Sequence, residues 1–337
     1  MNPEKILLAH GSGGKITHRL IREVFLEAFR NELLEKLTDS AVFHVDQGKL
    51  AYTTDAYVVD PIFFPGGDIG RLAVCGTVND LAMSGAKPLY LSAGFIIEEG
   101  FGLAELKIIL RSMREAADEA GVKIICGDTK VVPKGSADKI FITTSGLGLI
   151  PAGIEISPQQ IMVGDNVIIS GTIGEHGIAI LSQREGLKFS SNISSDVAPL
   201  NHLVASMLDV AGNGIHVLRD PTRGGVTTTL NEFVQGAAFG IKIYEDKIPI
   251  IDGVQGACEL LGLDSLYVAN EGKLVAVVSR DFVQAVLSSI QRNSLGVNAR
   301  VIGEVVEEPK GIVSLVTRIG GTRIVGMLTG EQLPRIC

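Results

Sequence analysis

The spacing of apolar side chains changes several times along the chain. Leu20, Ile21, Val24, Phe25, Ala28, Phe29, Leu33 and Leu37 recur at helical spacing, with Thr17 placed to cap the helix they predict. The period then falls to two. Residues 41–46 and 50–54 flank Gln47-Gly48-Lys49 and predict a β-hairpin. Residues 69–83 return to helical spacing and stop at Gly85. A strand over 89–97, an amphipathic helix over 103–120 closed by Gly121, a short strand over 123–126 and another strand over 139–149 follow.

Proline and glycine then interrupt the pattern at Ile150-Pro151-Ala152-Gly153 and Ser157-Pro158, which mark the best domain boundary. Beyond it strands and helices alternate: strand 166–170, helix 177–186, helix 197–211, strand 215–218, helix 224–238, strand 241–244, strand 273–279 and helix 282–290, then three short strands. Hairpins mixed with single helices predict an α+β or mixed α/β chain rather than two Rossmann units. The expected organisation is a glycine-rich segment and helix over 1–38, an N-terminal domain over 39–152, a C-terminal α/β domain over 153–328 and a mobile tail over 329–337.

Composition narrows the function classes. With 337 residues, 46% of them hydrophobic and 20% charged, the chain is long enough for two domains, each with its own packed core. A net charge of −8 argues against a nucleic-acid partner but not against nucleotides, whose phosphates can be bridged to carboxylates by metal ions. No stretch reads as a secretory signal or a membrane span. Cys75, Cys126, Cys258 and Cys337 show no metal-binding or redox spacing, and the first three read as core residues in a reducing cytoplasm.

Candidate chemistry collects where carboxylates meet glycine-rich turns. Asp39-Ser40 opens the predicted hairpin and Thr53-Thr54-Asp55 closes it; Asn79-Asp80 lies within the 69–83 helix. Gly127-Asp128-Thr129-Lys130 follows a short strand, and Asp220-Pro221-Thr222-Arg223-Gly224-Gly225 joins a strand to a helix. Carboxylates just past strand ends suit a hard cation such as Mg²⁺ bridging nucleotide phosphates, and the Arg223-Gly224-Gly225 turn offers helix N-terminal amides to an anion. Each aspartate alone is better explained by a cap or turn. Five in similar contexts favour a Mg-nucleotide enzyme.

Taken with the glycine-rich His10–Lys15 opening and Gly70-x5-Gly76-Thr77-Val78-Asn79-Asp80-Leu81-Ala82-Met83-Ser84-Gly85, these stretches resemble the ATP-binding superfamily of aminoimidazole ribonucleotide synthetase and selenophosphate synthetase. Ser12, Gly13 and Gly14 stand where selenophosphate synthetases usually carry Cys or selenocysteine. The closing Pro334-Arg335-Ile336-Cys337 is similar to the HypE family of [NiFe]-hydrogenase maturation factors. The resemblance covers the whole chain. It implies a PurM-like fold whose N-terminal domain forms a barrel across a homodimer, with ATP beside it. It further implies Asp39, Asp55, Asp80 and Asp220 as Mg²⁺ ligands, Lys15 closing over the phosphates, and Asn79, Asp128 and Lys130 lining the site. The implied partners are the carbamoyltransferase HypF, which loads Cys337, and a HypC–HypD iron scaffold that receives cyanide.

The tail carries the proposed chemistry. From Thr329, nine residues reach roughly 30 Å when extended, enough to cross a small domain. A free thiol has a pKa near ~8.5 and an adjoining α-carboxylate raises it, so Cys337 needs a docked site or a partner to activate it. The resemblance implies that an S-carbamoyl group on Cys337 is dehydrated to an S-cyanate at the expense of ATP. That step must remove both protons from nitrogen; Lys134 and Glu271 are the candidate bases, with His10 and His176 as substitutes. Two rivals stand beside this reading. One is a superfamily enzyme acting on a free small molecule with Cys337 idle, and the other is an ATP-binding carrier that presents Cys337 to a partner.

Overall fold

A computed structural model of the chain describes residues 14–20, 22–23, 35, 37, 41–45, 48–187, 193–330, 333 and 335–337. The first half is built on a five-stranded sheet. Its strands are β1 (Ala41–Val45), β2 (Gly48–Tyr57), β5 (Lys87–Glu98), β6 (Lys123–Val132) and β7 (Ile140–Ile150), in the order β1-β2-β7-β5-β6. All neighbours are antiparallel except β5 and β6. The short β3 (Phe63–Phe64) and β4 (Gly67–Asp68) form a separate hairpin. The predicted hairpin is present. The expected helix through residues 20–37 and Asp39 lies largely outside the described residues, of which α1 (Lys15–Leu20) is the helical part.

One face of this sheet is covered by α2 (Ile69–Met83) and α3 (Leu103–Ala120). Helix α2 is buried nearly all round, as a helix with little amphipathic character must be. Its glycines make that packing possible: a Cβ on Gly76 would stand 2.2 Å from the Tyr57 hydroxyl oxygen, and one on Gly70 2.5 Å from the Ile109 carbonyl oxygen. The other face is open, exposing Tyr52, Tyr90, Ile96 and Leu149.

The second half is a seven-stranded sheet in the order β14-β13-β10-β12-β8-β11-β9. The strands are β8 (Asn166–Ile169), β9 (Ile215–Arg219), β10 (Gly240–Tyr244), β11 (Val275–Val278), β12 (Arg300–Val306), β13 (Val313–Val316) and β14 (Thr322–Ile324). Only β10 and β13 pair in parallel. Alternate residues of β8 and β11 feed two cores, one holding Val167, Ile169, Val275 and Val277, the other Ile168, Ala276 and Val278. Two buried faces explain why these strands read as unbroken apolar runs. The helices are α4 (Glu175–Arg184), α5 (Asn201–Ala211), α6 (Gly225–Val234), α7 (Asp252–Leu261) and α8 (Val283–Arg292).

Three departures from the sequence pattern have local causes. The strand expected over 123–126 continues through Gly127-Asp128-Thr129-Lys130 to Val132. Gly127 is no breaker there: a Cβ would lie 2.5 Å from the Ala93 carbonyl oxygen, so glycine permits close pairing with β5. The helix expected from 197 starts only at Asn201, because Pro199 disfavours helical geometry in the residue before it. Helix α7 was not anticipated, since Gly253 and Gly256 lower its propensity, although Val254, Ala257 and Cys258 are spaced to bury one face.

The tail expected to be mobile is docked between the halves. Ile336 is buried in the first half's core, and Leu333 and Cys337 pack against it. Among the described residues no helix is long and apolar enough to cross a membrane. As a check on the packing of the helix layer, Leu72→Ala, which empties a fully buried position in that core, is expected to lower unfolding free energy by about 2–5 kcal/mol in chemical denaturation. A loss under about 1 kcal/mol would contradict the assigned core.

Candidate functional site

Strand β2 ends at Tyr57, and its continuation forms a backbone ledge for the tail. The Val58 amide donates to the Cys337 backbone oxygen at 3.1 Å, and the Asp60 amide to the Arg335 carbonyl at 3.1 Å. Residues 335–337 therefore lie along 58–60 like a short added strand. Arg335 occupies the left-handed region at φ 50°, an uncommon conformation for a non-glycine residue that needs holding in place. The surrounding side chains supply the hold. Its own Nε donates to the Val58 carbonyl at 2.9 Å, and its Nη1 reaches Asp138 at 2.5 Å. Arg184 on α4 bridges the two backbones, donating to the Asp60 carbonyl at 2.8 Å and to the Arg335 carbonyl at 2.7 Å.

His176 completes the clasp. Burial holds its pKa below the ordinary value, so the ring is neutral at neutral pH. Its Nε2 lies 2.6 Å from the Ile336 carbonyl, which can only accept, so Nε2 carries the proton. Its Nδ1 then accepts from the Ser195 hydroxyl at 2.7 Å. The ring also stands edge-on to Phe64 at 5.5 Å between centroids. Expected only as a substitute base, His176 instead holds the tail.

The clasp places Cys337 in a cavity of about 410 Å³ lined by Asp55, Asp80, Asp220, Arg223 and Glu271, among others. Thr77 donates to Asp55 at 3.1 Å, with the Tyr57 hydroxyl 3.2 Å from the same oxygen, and Thr53 donates to Asp80 at 2.7 Å. Burial pushes the Asp220 carboxyl up to about 6, with Arg219 opposing and Asp55 adding to the rise. Burial also carries Glu271 well above the usual carboxylate range, reinforced by the charges of Asp220 and Asp196 and opposed by Arg223. One oxygen of Glu271 has no hydrogen-bond partner although the side chain is buried. The Cys337 thiol is pushed up to about 12 by burial, again with Arg223 opposing. Of the two activators that the sequence offered for this thiol, a docked site or a partner, the docked site does not serve: docked and unmodified, Cys337 is a thiol rather than a nucleophilic thiolate.

The remaining expected site residues divide. Asn79 is buried and fully engaged in joining the two halves: its amide donates to the Ala198 and Glu271 carbonyls at 3.1 and 3.2 Å, and its oxygen accepts from the Leu200 amide at 2.8 Å. It therefore positions the Glu271 backbone instead of lining the cavity. Asp128 and Lys130, expected at a turn in the site, stand on exposed β6 and pair with each other at 2.9 Å. Lys134 is exposed on the 133–138 loop, the same loop whose Asp138 holds Arg335. The exposed Lys15 donates its amide to the Leu328 carbonyl at 2.9 Å, tying the N-terminal segment to the root of the tail. None of Asp128, Lys130, Lys134 and Lys15 is among the residues lining the cavity. Among the described residues, no three His, Cys, Asp or Glu side chains form a ready-made metal cage.

Comparison with known proteins gives a consistent result. Residues 37–150 match the AIR synthase related protein N-terminal domain, and residues 162–316 match the C-terminal domain of the same family. The chain is 55% identical over 330 residues to the carbamoyl dehydratase HypE of Bradyrhizobium diazoefficiens, covering 98% of this chain and 95% of that one. A crystal structure of a HypE–HypF complex contains a chain that is 52% identical, with a TM-score of 0.87 over 92% of this chain and 99% of that one. A HypE crystal structure in complex with ATP is 47% identical, with a TM-score of 0.83 over 99% of this chain and 100% of that one.

The clasp makes a prediction that stands apart from any activity. Hydrogen bonds from a charged donor contribute about 1.5–3 kcal/mol, so Arg184→Ala should raise the undocked fraction by about 10-fold or more. Alkylation of Cys337, followed by the mass of its peptide against exposed Cys126 as internal comparator, should accelerate accordingly. An unchanged rate at Cys337 would mean that Arg184 does not hold the tail.

Proposed function

The chain belongs to the HypE family of AIR synthase related proteins, several of whose members are named carbamoyl dehydratases, and we propose that it converts an S-carbamoyl group on its own Cys337 to an S-cyanate with consumption of ATP. The observation that carries this reading is the position of Cys337: the clasp fixes its backbone while its side chain enters a carboxylate-lined cavity. A thiol with no part in the chemistry would have no use for that arrangement.

The reaction explains the groups around it. The oxygen of a thiocarbamate leaves poorly, and transfer of the ATP γ-phosphoryl group to it makes phosphate the leaving group. Asp55, Asp80 and Asp220 offer only oxygen donors, and the raised Asp220 carboxyl reflects burial beside another carboxylate. This donor set fits Mg²⁺, which is commonly held by one or two carboxylates plus substrate phosphates instead of a complete protein cage. When bound, the ion would neutralise phosphate charge during transfer. The described residues leave Asp39 untested as a fourth ligand.

Nitrogen must lose two protons, and among the carboxyls that share the cavity with Cys337, Glu271 is one not assigned to the metal ion. Burial and the neighbouring carboxylates raise its affinity for protons above that of an ordinary carboxylate, which makes it the stronger base once ionised. Lys134 would need the 133–138 loop to move or a second copy to present it. The open apolar face of the five-stranded sheet is the surface for a homodimer, and the family's HypF and HypC–HypD are the proposed donor and acceptor partners. Covalent attachment to Cys337 keeps cyanide from escaping between them.

The test is the intact mass of the peptide ending in Cys337 after loading by the carbamoyltransferase with carbamoyl phosphate. The adduct should lose one water when Mg-ATP is added, and only then. An unmodified Cys337 in the presence of a competent partner would overturn the proposal and favour an enzyme acting on a free small molecule. Glu271→Gln should keep the carbamoyl adduct and slow its dehydration by about 10²–10⁴-fold; dehydration at the unaltered rate would remove Glu271 from the mechanism.

A further inference from the structure

One wall of the cavity is formed by the N-terminal end of a helix. Helix α6 starts at Gly225 behind the turn Thr222-Arg223-Gly224, where Gly224 and Gly225 have φ of 78° and 61°. Three threonines follow in a row, all buried. Thr227 donates to the Gly224 carbonyl at 3.0 Å and Thr229 to the Gly225 carbonyl at 3.2 Å, the usual way for a helical hydroxyl to be satisfied. Thr228 between them does not. Its hydroxyl has no partner, although the side chain is only 3% exposed and lines the same cavity as Cys337. The lack of a side chain on Gly224 keeps that hydroxyl clear, since a Cβ there would lie 2.1 Å from it.

Two further groups complete the arrangement. Arg223, in the turn itself, projects into the cavity and stays open to water through it. Glu271 lies on the cavity wall with one oxygen lacking a partner. A buried hydroxyl and a buried carboxyl oxygen left unsatisfied cost free energy unless a ligand meets them. Both line the cavity that also holds Cys337.

We infer that Arg223 and Thr228 bind the oxygen of the carbamoyl group on Cys337, opposite the nitrogen that faces Glu271. The inference rests on the proposed dehydratase reading and assigns the polarity of its substrate. A carbamoyl group has an acceptor oxygen on one side and a donor NH₂ on the other. The guanidinium, the hydroxyl and the α6 N-terminus are all suited to an oxygen that gains negative charge. The carboxyl is the only one of the three side chains able to take a proton from nitrogen.

The steps then balance. The carbamoyl oxygen attacks the γ-phosphorus as the bond to ADP breaks, and one N–H proton passes to Glu271, which releases it to water, as a C=N double bond forms. In the second step the remaining N–H proton goes to the base while the C–O bond breaks. Its electron pair leaves with phosphate and the nitrile remains on sulfur. Negative charge grows on the oxygen side in both steps, where Arg223 and Thr228 stand.

The experiment is single-turnover dehydration of carbamoyl-loaded protein in Mg-ATP, followed by the mass of the Cys337 peptide, in wild type, Thr228→Val and Arg223→Ala. Val preserves the shape of Thr and removes only the hydroxyl. Thr228→Val should load normally and dehydrate about 10-fold or more slowly, the loss of one hydrogen bond to a charged group. Arg223→Ala should fall by about 10²–10³-fold and recover in part with added guanidinium ion but not with urea, a response that general structural damage would not give. Loading with cyanate in place of the partner keeps the test valid if Arg223→Ala does not accept the enzymatic carbamoyl group. Wild-type rates in both variants would overturn the assignment. Failure of the wild-type adduct itself to lose water would instead remove the dehydratase reading on which it rests.

Discussion

The short backbone pairing of residues 335–337 with 58–60 is the contact on which the site depends. It is made of main-chain groups, so it specifies where Cys337 lies without dictating the chemistry of its side chain. Elements from both halves converge on it: the β2 extension provides the ledge, α4 provides His176 and Arg184, and the loop before β7 provides Asp138. Asn79 ties the same halves together by gripping the Glu271 and Ala198 backbones. Separating the halves would therefore disturb the tail's binding groove and the Glu271 carboxyl together.

The electrostatics of the cavity follow from that enclosure. Carboxyl groups of Asp220 and Glu271 held away from water become reluctant to ionise, and so does the thiol beside them. The docked state is consequently poor at loading a carbamoyl group by nucleophilic attack and well suited to processing one that is already attached. In the proposed cycle, loading belongs to an undocked tail and dehydration to a docked one. The docked half of this cycle has the stronger structural definition, with an arginine in the left-handed region fixed by contacts to several elements.

Much of this was readable in the sequence. Strand and helix periods located nearly all elements, and the glycine-flanked Asp55, Asp80 and Asp220 do share one cavity with Glu271 and Cys337. Residues that act through backbone contacts were not readable. Arg184 and His176 hold carbonyl groups 151 and 160 residues away, and no local pattern announces such a partner. Gly127 looked like the end of a strand because sequence shows a missing side chain but not the neighbouring backbone that requires it. Thr228 is distinctive only by contrast with Thr227 and Thr229, whose hydrogen bonds need coordinates to be seen.

The most direct measurement is hydrogen exchange at the Val58 and Asp60 amides in carbamoyl-loaded protein with ATP, compared with a chain ended after Leu333. If the tail carries its cargo into the cavity by this pairing, both amides will be protected in the loaded protein and will exchange rapidly in the shortened chain. Equal, rapid exchange in the two proteins would contradict the account, because the group on Cys337 would then be processed without the tail lying on its ledge.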